Sequence, residues 1–358
     1  MNDYEITDIR EKKEFKSITL SGYKKSDVKK SLIQNFINKK IEEACYWSAE
    51  LVCSGHLVDL WDIILLYTSN YIHLGNPKLP IYINIRFNDL KNILMNGYLD
   101  NELKMRNNPK IRKLFAEIVC IICFSKKNNT FDFPKIKIDD YNIGLIQHKL
   151  EADNIKYGQK FMKKEDPKEL FIAINEFAWN LSKKNKNAQN AFYWLEWIVN
   201  FESICNKEKK SKVKLIASRR NMPVSEKYQK ESIWILWEIL LYESMKKSSG
   251  IYKIVKALHE LFCIQFKPSS IKKRKTTIYN AIFLITESIV DRTVYNKDNE
   301  KVISMVKDKI NIIYKQIKKN EIKPKTDYLF NNNINKNLEK TIAKLNKMDK
   351  FNNFIIRN

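Results

Sequence analysis

Lys39–Pro80 reads KKIEEACYWSAELVCSGHLVDLWDIILLYTSNYIHLGNPKLP, and this stretch decides the fold class of the chain. Its apolar side chains recur at helical spacing on both sides of a break around Gly55, which predicts two amphipathic helices joined by a short turn. Gly75-Asn76-Pro77 predicts a helix end, because glycine tolerates the left-handed cap conformation and proline cannot continue a helix. The stretch is therefore predicted to form a helical hairpin.

The composition of the whole chain agrees with a helical fold. Its 358 residues are 44% hydrophobic and include 7 Trp, 17 Tyr and 18 Phe, which is ample material for a packed core. Only 7 Gly and 8 Pro are present, whereas a β-sandwich or a doubly wound nucleotide-binding sheet usually needs more turn residues. We therefore predict an all-α protein, either an irregular helical bundle or a HEAT-like array, in two lobes.

Charge runs and helix-stop signals suggest how the chain is divided. The expected parts are a charged N-terminal arm (1–25), a first helical lobe (26–125), a connecting segment (126–164), a second helical lobe (165–295) and a Lys/Asn-rich C-terminal tail with one amphipathic helix (296–358). Asp166-Pro167 predicts the start of a helix, with Asp as cap and Pro in the first turn.

Three aromatic-rich segments resemble one another, each with a Glu near its middle: Ala44–Leu51, Ala191–Ile198 and Ile233–Leu240. Their spacing is unequal, so they do not form a regular solenoid repeat. They are interpreted either as helices with the same packing role or as a coincidence of composition.

The strong positive charge points to a polyanionic partner. The chain has 65 Lys+Arg against 41 Asp+Glu, a formal net charge of +24. Self-repulsion at this level costs stability unless a polyanion is nearby, so nucleic acid is the first candidate, DNA before RNA. Lys and Asn are both abundant here, as in proteins from AT-rich genomes, and such a composition would raise the charge without any binding role. No lipidation motif or membrane span supports a membrane partner.

Two basic clusters are the predicted nucleic-acid-binding sites. Basic loops between stiff helices can follow a phosphate backbone, and without a base-reading pattern the binding is expected to be non-specific. The candidate residues are Lys207, Lys209, Lys210, Lys212, Lys214, Arg219 and Arg220 in the first cluster, and Lys272, Lys273, Arg274 and Lys275 in the second. The second cluster could also serve as a nuclear-import patch.

The six cysteines and the polar N-terminus favour an intracellular setting. All the cysteines lie in or beside apolar helical runs, which is typical of small buried hydrophobes in a reducing compartment. The first residues do not resemble a signal peptide. A soluble cytoplasmic protein is expected, with a nuclear or viral-factory site as an alternative.

Catalysis has one candidate constellation. The seven glycines cannot make a phosphate loop or a dinucleotide fingerprint, and no cofactor or structural metal is predicted. Glu43, Glu50, His56 and Asp59 could form a metal-dependent nuclease site if the hairpin brings them together, since two-metal sites need converging acidic groups. Helix-surface charge and capping explain the same residues.

A series of motifs in the hairpin is similar to a known family. Its members are Ala44, Tyr46, Trp47, Gly55 and the closing run Ile72–Pro77. The series resembles the C-terminal helical region of the MgsA/RarA/WRNIP-type replication-associated AAA+ proteins, relatives of clamp loaders. There an A-x-Y-W core precedes a Gly-containing turn and a helix closing in I-G-L-A-[DN]-P.

The resemblance covers about 40 of the 358 residues. The stretch lacks that family's paired Arg and its Ser-Glu-Asp just before the closing motif, where Thr68–Tyr71 stand here. The family's ATPase half is also missing. The resemblance implies a collar-like oligomerisation or interaction fold without ATP hydrolysis. The Lys/Asn/Ile-rich texture is also similar to uncharacterised proteins of large nucleocytoplasmic DNA viruses.

The leading functional prediction is a non-enzymatic accessory factor of DNA replication, repair or genome handling. It would bind nucleic acid through the basic clusters and a protein partner, or a second copy of itself, through Tyr46, Trp47 and Trp61. The alternatives are a helical adaptor or internal virion structural protein, an RNA-binding or translation-associated helical protein, and the metal-dependent nuclease.

Overall fold

The computed structural model describes residues 3–98, 102–128, 133–207, 215–289 and 293–323, together with Thr341; the side chains of residues 102, 202, 203 and 205–207 are outside this description. Every regular element among these residues is helical, and the one β-type pairing among them is an isolated bridge between Ile18 and Lys24. The predicted all-α fold class is therefore confirmed.

Twelve α-helices occur in the described part of the chain. They are α1 (Lys25–Ile37), α2 (Ile41–Cys53), α3 (Leu57–Tyr67), α4 (Leu79–Met95), α5 (Pro109–Phe124), α6 (Lys156–Gln159), α7 (Phe171–Leu181), α8 (Ala188–Lys207), α9 (Ile233–Lys247), α10 (Ser249–Cys263), α11 (Ile271–Thr286) and α12 (Lys297–Lys318). Their buried apolar side chains form two separate hydrophobic cores, one for each lobe.

The first core surrounds the α2–α3 hairpin. Ala44, Leu51, Leu60 and Ile64, which set the predicted helical period, are all buried. The hairpin turns at Gly55, which has φ +72° and so adopts a conformation that other residues rarely take. Helix α5 packs against α2 and is buried along most of its length, as expected for a central helix.

The amphipathic helix predicted in the C-terminal tail is α12, and it packs on the first lobe against α5 and α2. The guanidinium of Arg112 on α5 lies 4.0 Å from the ring centroid of Tyr314. It also donates to Asn311 (3.0 Å) and to the carbonyl of Arg106 (2.7 Å). This buried arginine fastens the last described helix to the first core.

The predicted N-terminal arm also lies on the first lobe. Phe15 is fully buried in the first core. Asp8 accepts hydrogen bonds from Arg10 Nε (2.9 Å) and from the backbone N–H of Ile322 (2.8 Å), just after α12. The two ends of the described chain therefore meet.

The second core is dominated by aromatic side chains from α8, α9 and α11. Trp194, Trp234 and Trp237 are among its largest fully buried residues. The connecting segment packs on this lobe: Tyr141 lies 5.3 Å from Trp197, ring centroid to ring centroid. The predicted connecting segment therefore contributes side chains to the second core.

The glutamates of the three similar segments each accept a hydrogen bond from another element of the fold. Glu50 on α2 accepts hydrogen bonds from the segment that precedes α1. Glu196 on α8 accepts one from the hydroxyl of Tyr279 (2.6 Å), and Glu238 on α9 accepts one from Arg220 (2.7 Å). Each glutamate ties its aromatic helix to another element.

Between α3 and α4 the chain follows an irregular path. A π-helical turn spans Thr68–Ile72 and a 3-10 turn spans His73–Gly75. Gly75 cannot carry a side chain, because a Cβ there would lie 2.0 Å from the carbonyl oxygen of Lys126. The end of the hairpin motif is therefore fixed by a close approach to the backbone beyond α5.

This irregular segment also joins the two lobes. Thr276 on α11 donates to Ser69 Oγ (3.1 Å), and Asn280 donates to the carbonyl of Ser69 (3.3 Å). Helix α4 packs against α10 nearby. A cavity of about 30 Å³ lies at the junction, which is room for about one water molecule.

Candidate nucleic-acid interface

Much of the first predicted basic cluster lies outside the described residues. Lys209, Lys210, Lys212 and Lys214 are among these, and for Lys207 the description gives only a backbone position, at the end of α8. Their predicted role in nucleic-acid binding stays a prediction.

Arg219 and Arg220 have opposite environments although they are adjacent. The Arg220 side chain is fully buried, with Nη2 2.8 Å from Asp166 and Nε 2.7 Å from Glu238. Arg219 is exposed and lies 3.2 Å from Glu226. A buried guanidinium held by two carboxylates cannot reach a phosphate, so Arg220 leaves the set of candidate contacts and Arg219 remains.

Asp166 holds this guanidinium instead of capping a helix. A 3-10 turn over Lys168–Leu170 follows Pro167, and α7 begins only at Phe171. Burial raises the pKa of Asp166, but hydrogen bonds from Arg220 and from two backbone amides outweigh this effect and lower it below its usual value. Helical structure therefore begins just after Asp166-Pro167, but the predicted capping role of Asp166 is wrong, because its carboxylate is used in a buried ion pair.

The second predicted cluster lies in the first turns of α11, where Ile271 and Arg274 face inward. Arg274 is buried and donates to Asp62 (3.0 Å) and to the carbonyl of Phe262 (3.1 Å). Lys273 lies 3.6 Å from the same aspartate. Arg274 therefore joins the lobes and is not available to a polyanion, whereas Lys272 and Lys273 are exposed.

Lys275 is also engaged within the protein. Its Nζ lies 2.6 Å from Glu196, and it sits 4.9 Å from the ring centroid of Phe133. The sequence run Lys272–Lys275 thus provides only two exposed cations at its start. The structure does not make it a continuous basic patch.

Two of the proposed catalytic carboxylates point to different surroundings. Glu43 is exposed and lies 3.4 Å from Lys40. Glu50 is fully buried and accepts hydrogen bonds from the backbone and hydroxyl of Ser21. Burial raises the pKa of Glu50, although the hydrogen bonds that it accepts oppose the shift. Glu50 is a structural anchor of the N-terminal segment in this arrangement.

The other two candidates lie at the start of α3. Asp59 binds Lys29 and lies 3.2 Å from Lys25. His56 contacts Asp59 only at 3.9 Å, and its Nε2 lies 3.3 Å from the carbonyl of Ile18. Burial lowers the pKa of His56, so the ring is neutral at pH 7. The four residues therefore serve separate local contacts and do not gather around one open cavity.

No three or more His, Cys, Asp or Glu side chains within the described ranges are placed together so as to hold a metal ion. The cysteines described there are buried and unpaired: Cys45, Cys53, Cys120, Cys123 and Cys263. Burial raises the pKa of Cys263 to about 12, so its thiolate is scarcely populated at pH 7. These cysteines behave as small core residues, as predicted.

The predicted partner-binding aromatics are covered to different degrees. Trp61 is buried and packs against Phe87, with ring centroids 5.2 Å apart. Tyr46 and Trp47 are half-buried and lie edge to face at 5.2 Å, and Tyr23 contacts the other side of this pair. Trp61 is therefore a core residue, and only Tyr46 and Trp47 present area to a partner.

A further concentration of positive charge among the described residues lies at a cleft of about 570 Å³ on the second lobe, which we name the lysine cleft. It opens where α7 and α9 end and α6 crosses beside them. Six lysines line it: Lys160, Lys183, Lys184, Lys186, Lys246 and Lys247. None of them belongs to the predicted clusters.

The lysine cleft keeps a positive excess after its local counter-charges are counted. Glu243 lies 3.4 Å from Lys160 and 3.3 Å from Lys246, and Asp153 lies 3.4 Å from Lys184. Glu287 acts on Lys247 at longer range. The C-termini of α7 and α9 each carry about half a negative charge. Against six lysines, these groups leave an excess of about two positive charges.

Two polar groups lie deep in the lysine cleft. Lys247 is half-buried, and burial together with the nearby charge of Lys186 lowers its pKa, which Glu287 opposes. Ser182 is buried, and its hydroxyl has no hydrogen-bond partner among the described atoms. A buried hydroxyl without a partner costs free energy, but the oxygen of Ser182 has almost no accessible surface, so an anion in the cleft does not contact it.

Lys186 holds a strained backbone conformation at the edge of the lysine cleft. Its φ is +52°, where glycine is favoured after a helix end. Its N–H donates to the carbonyl of Ser182 (3.1 Å), which closes the turn after α7. Glycine at this position would remove the strain together with one cation of the lysine cleft.

A second concavity of about 350 Å³ lies between α2 and α12 on the first lobe. It is lined mainly by apolar side chains, and Met305 and Ile312 are exposed there. Because it lacks an excess of positive charge, it does not form part of the candidate nucleic-acid interface.

The chain matches no protein-family model, no curated protein and no solved structure. The resemblance of Lys39–Pro80 to the collar region of clamp-loader relatives therefore stays a prediction. Among the helices that the structure describes, none combines the length and the apolar character needed to cross a bilayer.

Proposed function

We propose that this protein is a non-enzymatic accessory factor that binds nucleic acid through the phosphate backbone, without reading base sequence. The lysine cleft is the observation that carries the proposal. It concentrates cations in a concave site, where their fields add and counterions are released when phosphates replace them. The overall charge of +24 would assist the encounter at longer range.

The cleft contains cations but no group arranged to read base edges, which supports a sequence-independent mode. Lysine is a flexible point charge suited to phosphate, whereas base recognition in a groove usually uses bidentate arginine or amide side chains. The biological setting, replication, repair or genome handling, rests on the collar-like resemblance of Lys39–Pro80.

Salt titration of the wild-type protein and two charge-matched variants tests the proposal. One variant changes Lys183, Lys184 and Lys246 to Ala in the lysine cleft. The control changes Lys30, Lys91 and Lys110 to Ala, which are exposed on the first lobe. The measurement is the dissociation constant of a labelled oligonucleotide by fluorescence anisotropy at a series of salt concentrations.

The cleft variant should bind more weakly at low salt, and the slope of log affinity against log salt should fall by about 0.7–0.9 for each phosphate that the variant no longer neutralises. The control variant should bind like the wild type. Equal weakening of both variants would mean that total charge, not the cleft, drives binding.

No binding above that of a neutral protein would end the nucleic-acid proposal. That result would favour the helical adaptor or virion structural alternative, in which a stoichiometric protein complex is expected. A preference for RNA over DNA of the same length would favour the RNA-binding or translation-associated alternative.

A further inference from the structure

We infer that the lysine cleft takes a single strand of nucleic acid in preference to a duplex, with Tyr242 as a platform for one base. This inference rests on the proposed function and names the form of nucleic acid that the same site selects. It is drawn from the shape of the cleft, the depth of its polar groups and the aromatic ring at its edge.

The shape of the lysine cleft excludes a duplex from its interior. A volume of about 570 Å³ is typical of sites that enclose part of a small molecule, about 300–1,000 Å³. A duplex is a stiff cylinder with its phosphates on the convex outside, so it can only lie across the rim. A single strand bends sharply and can insert a phosphate between the walls.

The depth of the polar groups in the lysine cleft also favours a single strand over a duplex. Lys183 and Lys184 are exposed at the rim and could contact either form of nucleic acid. Lys247 is set back behind them and is half-buried. Only a narrow anion reaches Lys247, so this cation favours the single strand.

Tyr242 provides an aromatic surface beside these cations. It is 40% exposed, and its ring lies edge to face against Phe161 with centroids 5.3 Å apart, which limits its rotation. Lys160 and Lys246, both cleft lysines, lie 4.1 Å and 4.3 Å from its ring centroid. Basic groups interleaved with aromatic rings are typical of proteins that bind single strands, where bases stack and phosphates pair.

The contacts of these two lysines connect the ring to the phosphate site. A phosphate inside the cleft competes with the Tyr242 ring and with Glu243 for the ammonium groups of Lys160 and Lys246. When the lysines turn to the phosphate, a face of the ring is uncovered. A base adjacent to the bound phosphate can then stack there, which a base paired in a duplex cannot do.

The test compares three labelled ligands on the full chain: oligothymidylate, oligouridylate and a DNA duplex with the same number of phosphates. Binding is measured by fluorescence anisotropy at a fixed moderate salt concentration. The variants are Tyr242→Ala, Tyr242→Phe and, as a control of similar exposure on the first lobe, Tyr23→Ala (45% exposed). Circular dichroism checks that each variant is folded.

The wild type should bind at least one of the single strands about five-fold or more tightly than the duplex, the lower end of what one stacked base contributes. Tyr242→Ala should lose about the same factor for single strands and little for duplex. Tyr242→Phe and Tyr23→Ala should bind like the wild type. The two single strands differ only in sugar and base, so their ratio identifies which is preferred.

Equal affinity of the wild type for duplex and single strands would overturn the inference while leaving the proposed function in place. So would a folded Tyr242→Ala variant with unchanged single-strand affinity. Absence of binding to all three ligands would remove the proposed function itself. If Tyr242→Ala does not fold, the wild-type preference between strand and duplex decides the question.

Discussion

Replacing Lys186 with glycine should weaken nucleic-acid binding and stabilise the fold at the same time. Lys186 has φ +52°, and a left-handed conformation costs an L-residue about 1–2 kcal/mol. Glycine removes this strain but loses about 0.5–1 kcal/mol through its greater freedom in the unfolded chain. The free energy of unfolding should therefore rise by about 0.5–1 kcal/mol. Loss of the Lys186 charge, which lowers the pKa of Lys247, should also raise the free energy of unfolding.

The same change removes one cation from the rim of the lysine cleft. An ion pair at an exposed site contributes up to about 1 kcal/mol, so the dissociation constant of oligothymidylate should rise by up to about five-fold at low salt. The slope of log affinity against log salt should become shallower by about 0.7, the value for one phosphate of a single strand.

The assay for Lys186→Gly combines urea denaturation with anisotropy titrations at several salt concentrations. Lys39→Gly is the matched control, because Lys39 is an exposed lysine with φ +56° in the loop between α1 and α2, away from the cleft. It should gain similar stability without losing affinity. The reasoning is refuted if Lys186→Gly leaves the affinity and the salt slope unchanged, or if both variants weaken binding equally.

Three further substitutions test separate parts of the structure. Glu243→Gln removes the carboxylate that competes with phosphate for two cleft lysines, so oligothymidylate should bind more tightly in anisotropy titrations. Weaker binding would contradict the role of the lysine cleft in binding phosphate. Arg220→Ala leaves two carboxylates without their buried partner and should lower the free energy of unfolding by about 3–5 kcal/mol. The exposed control Arg219→Ala should change it by less than about 1 kcal/mol. Similar urea midpoints for the two variants would refute this distinction. Gly75→Ala forces a Cβ to within 2.0 Å of a carbonyl oxygen and should lower the thermal midpoint strongly. Gly250→Ala, in a helix without close neighbours, should raise it; a tolerated Gly75→Ala would contradict the close backbone approach.

Local pattern was enough to predict most of the helices. The apolar period of the α2–α3 hairpin depends on residues within a few turns. Helix propensity, proline and glycine act at that range, so the sequence carries the information directly. The helix end predicted at Gly75-Asn76-Pro77 is wrong in detail, since α3 already ends at Tyr67 and Gly75 does not adopt the left-handed conformation. The start of α7, just after the Asp166–Arg220 pair, and the position of α12, held by Arg112, depend on partners far away in the chain.

The sequence alone does not show which of two residues of the same type is buried. Arg219 and Arg220 belong to the same basic run, but only Arg220 meets Asp166, more than fifty residues earlier, in the interior. Trp47 and Trp61 lie in one hairpin, but only Trp61 reaches the core. Burial of a charged or aromatic side chain is decided by the element that packs over it, which local pattern does not show.

The lysine cleft illustrates the same limit for a functional site. Lys183–Lys186, just after α7, and Lys246–Lys247, in the last turn of α9, are visible as short basic runs, and each run alone is explained by the partial negative charge of a helix C-terminus. Their significance appears only when the fold brings the ends of α7 and α9 to one cavity. The two basic runs are visible in the sequence, but they lie far apart along the chain, so the sequence does not show that they meet in the fold.

Hydrogen–deuterium exchange of the full chain, with and without a saturating oligothymidylate, locates the interface most directly. The account predicts slower exchange at Leu181–Asn187 and Tyr242–Ser248, the segments that line the lysine cleft or flank it, with no change at Lys272–Lys275. Protection confined to Lys272–Lys275 or to the α2–α3 hairpin, with the cleft segments unaffected, would contradict it.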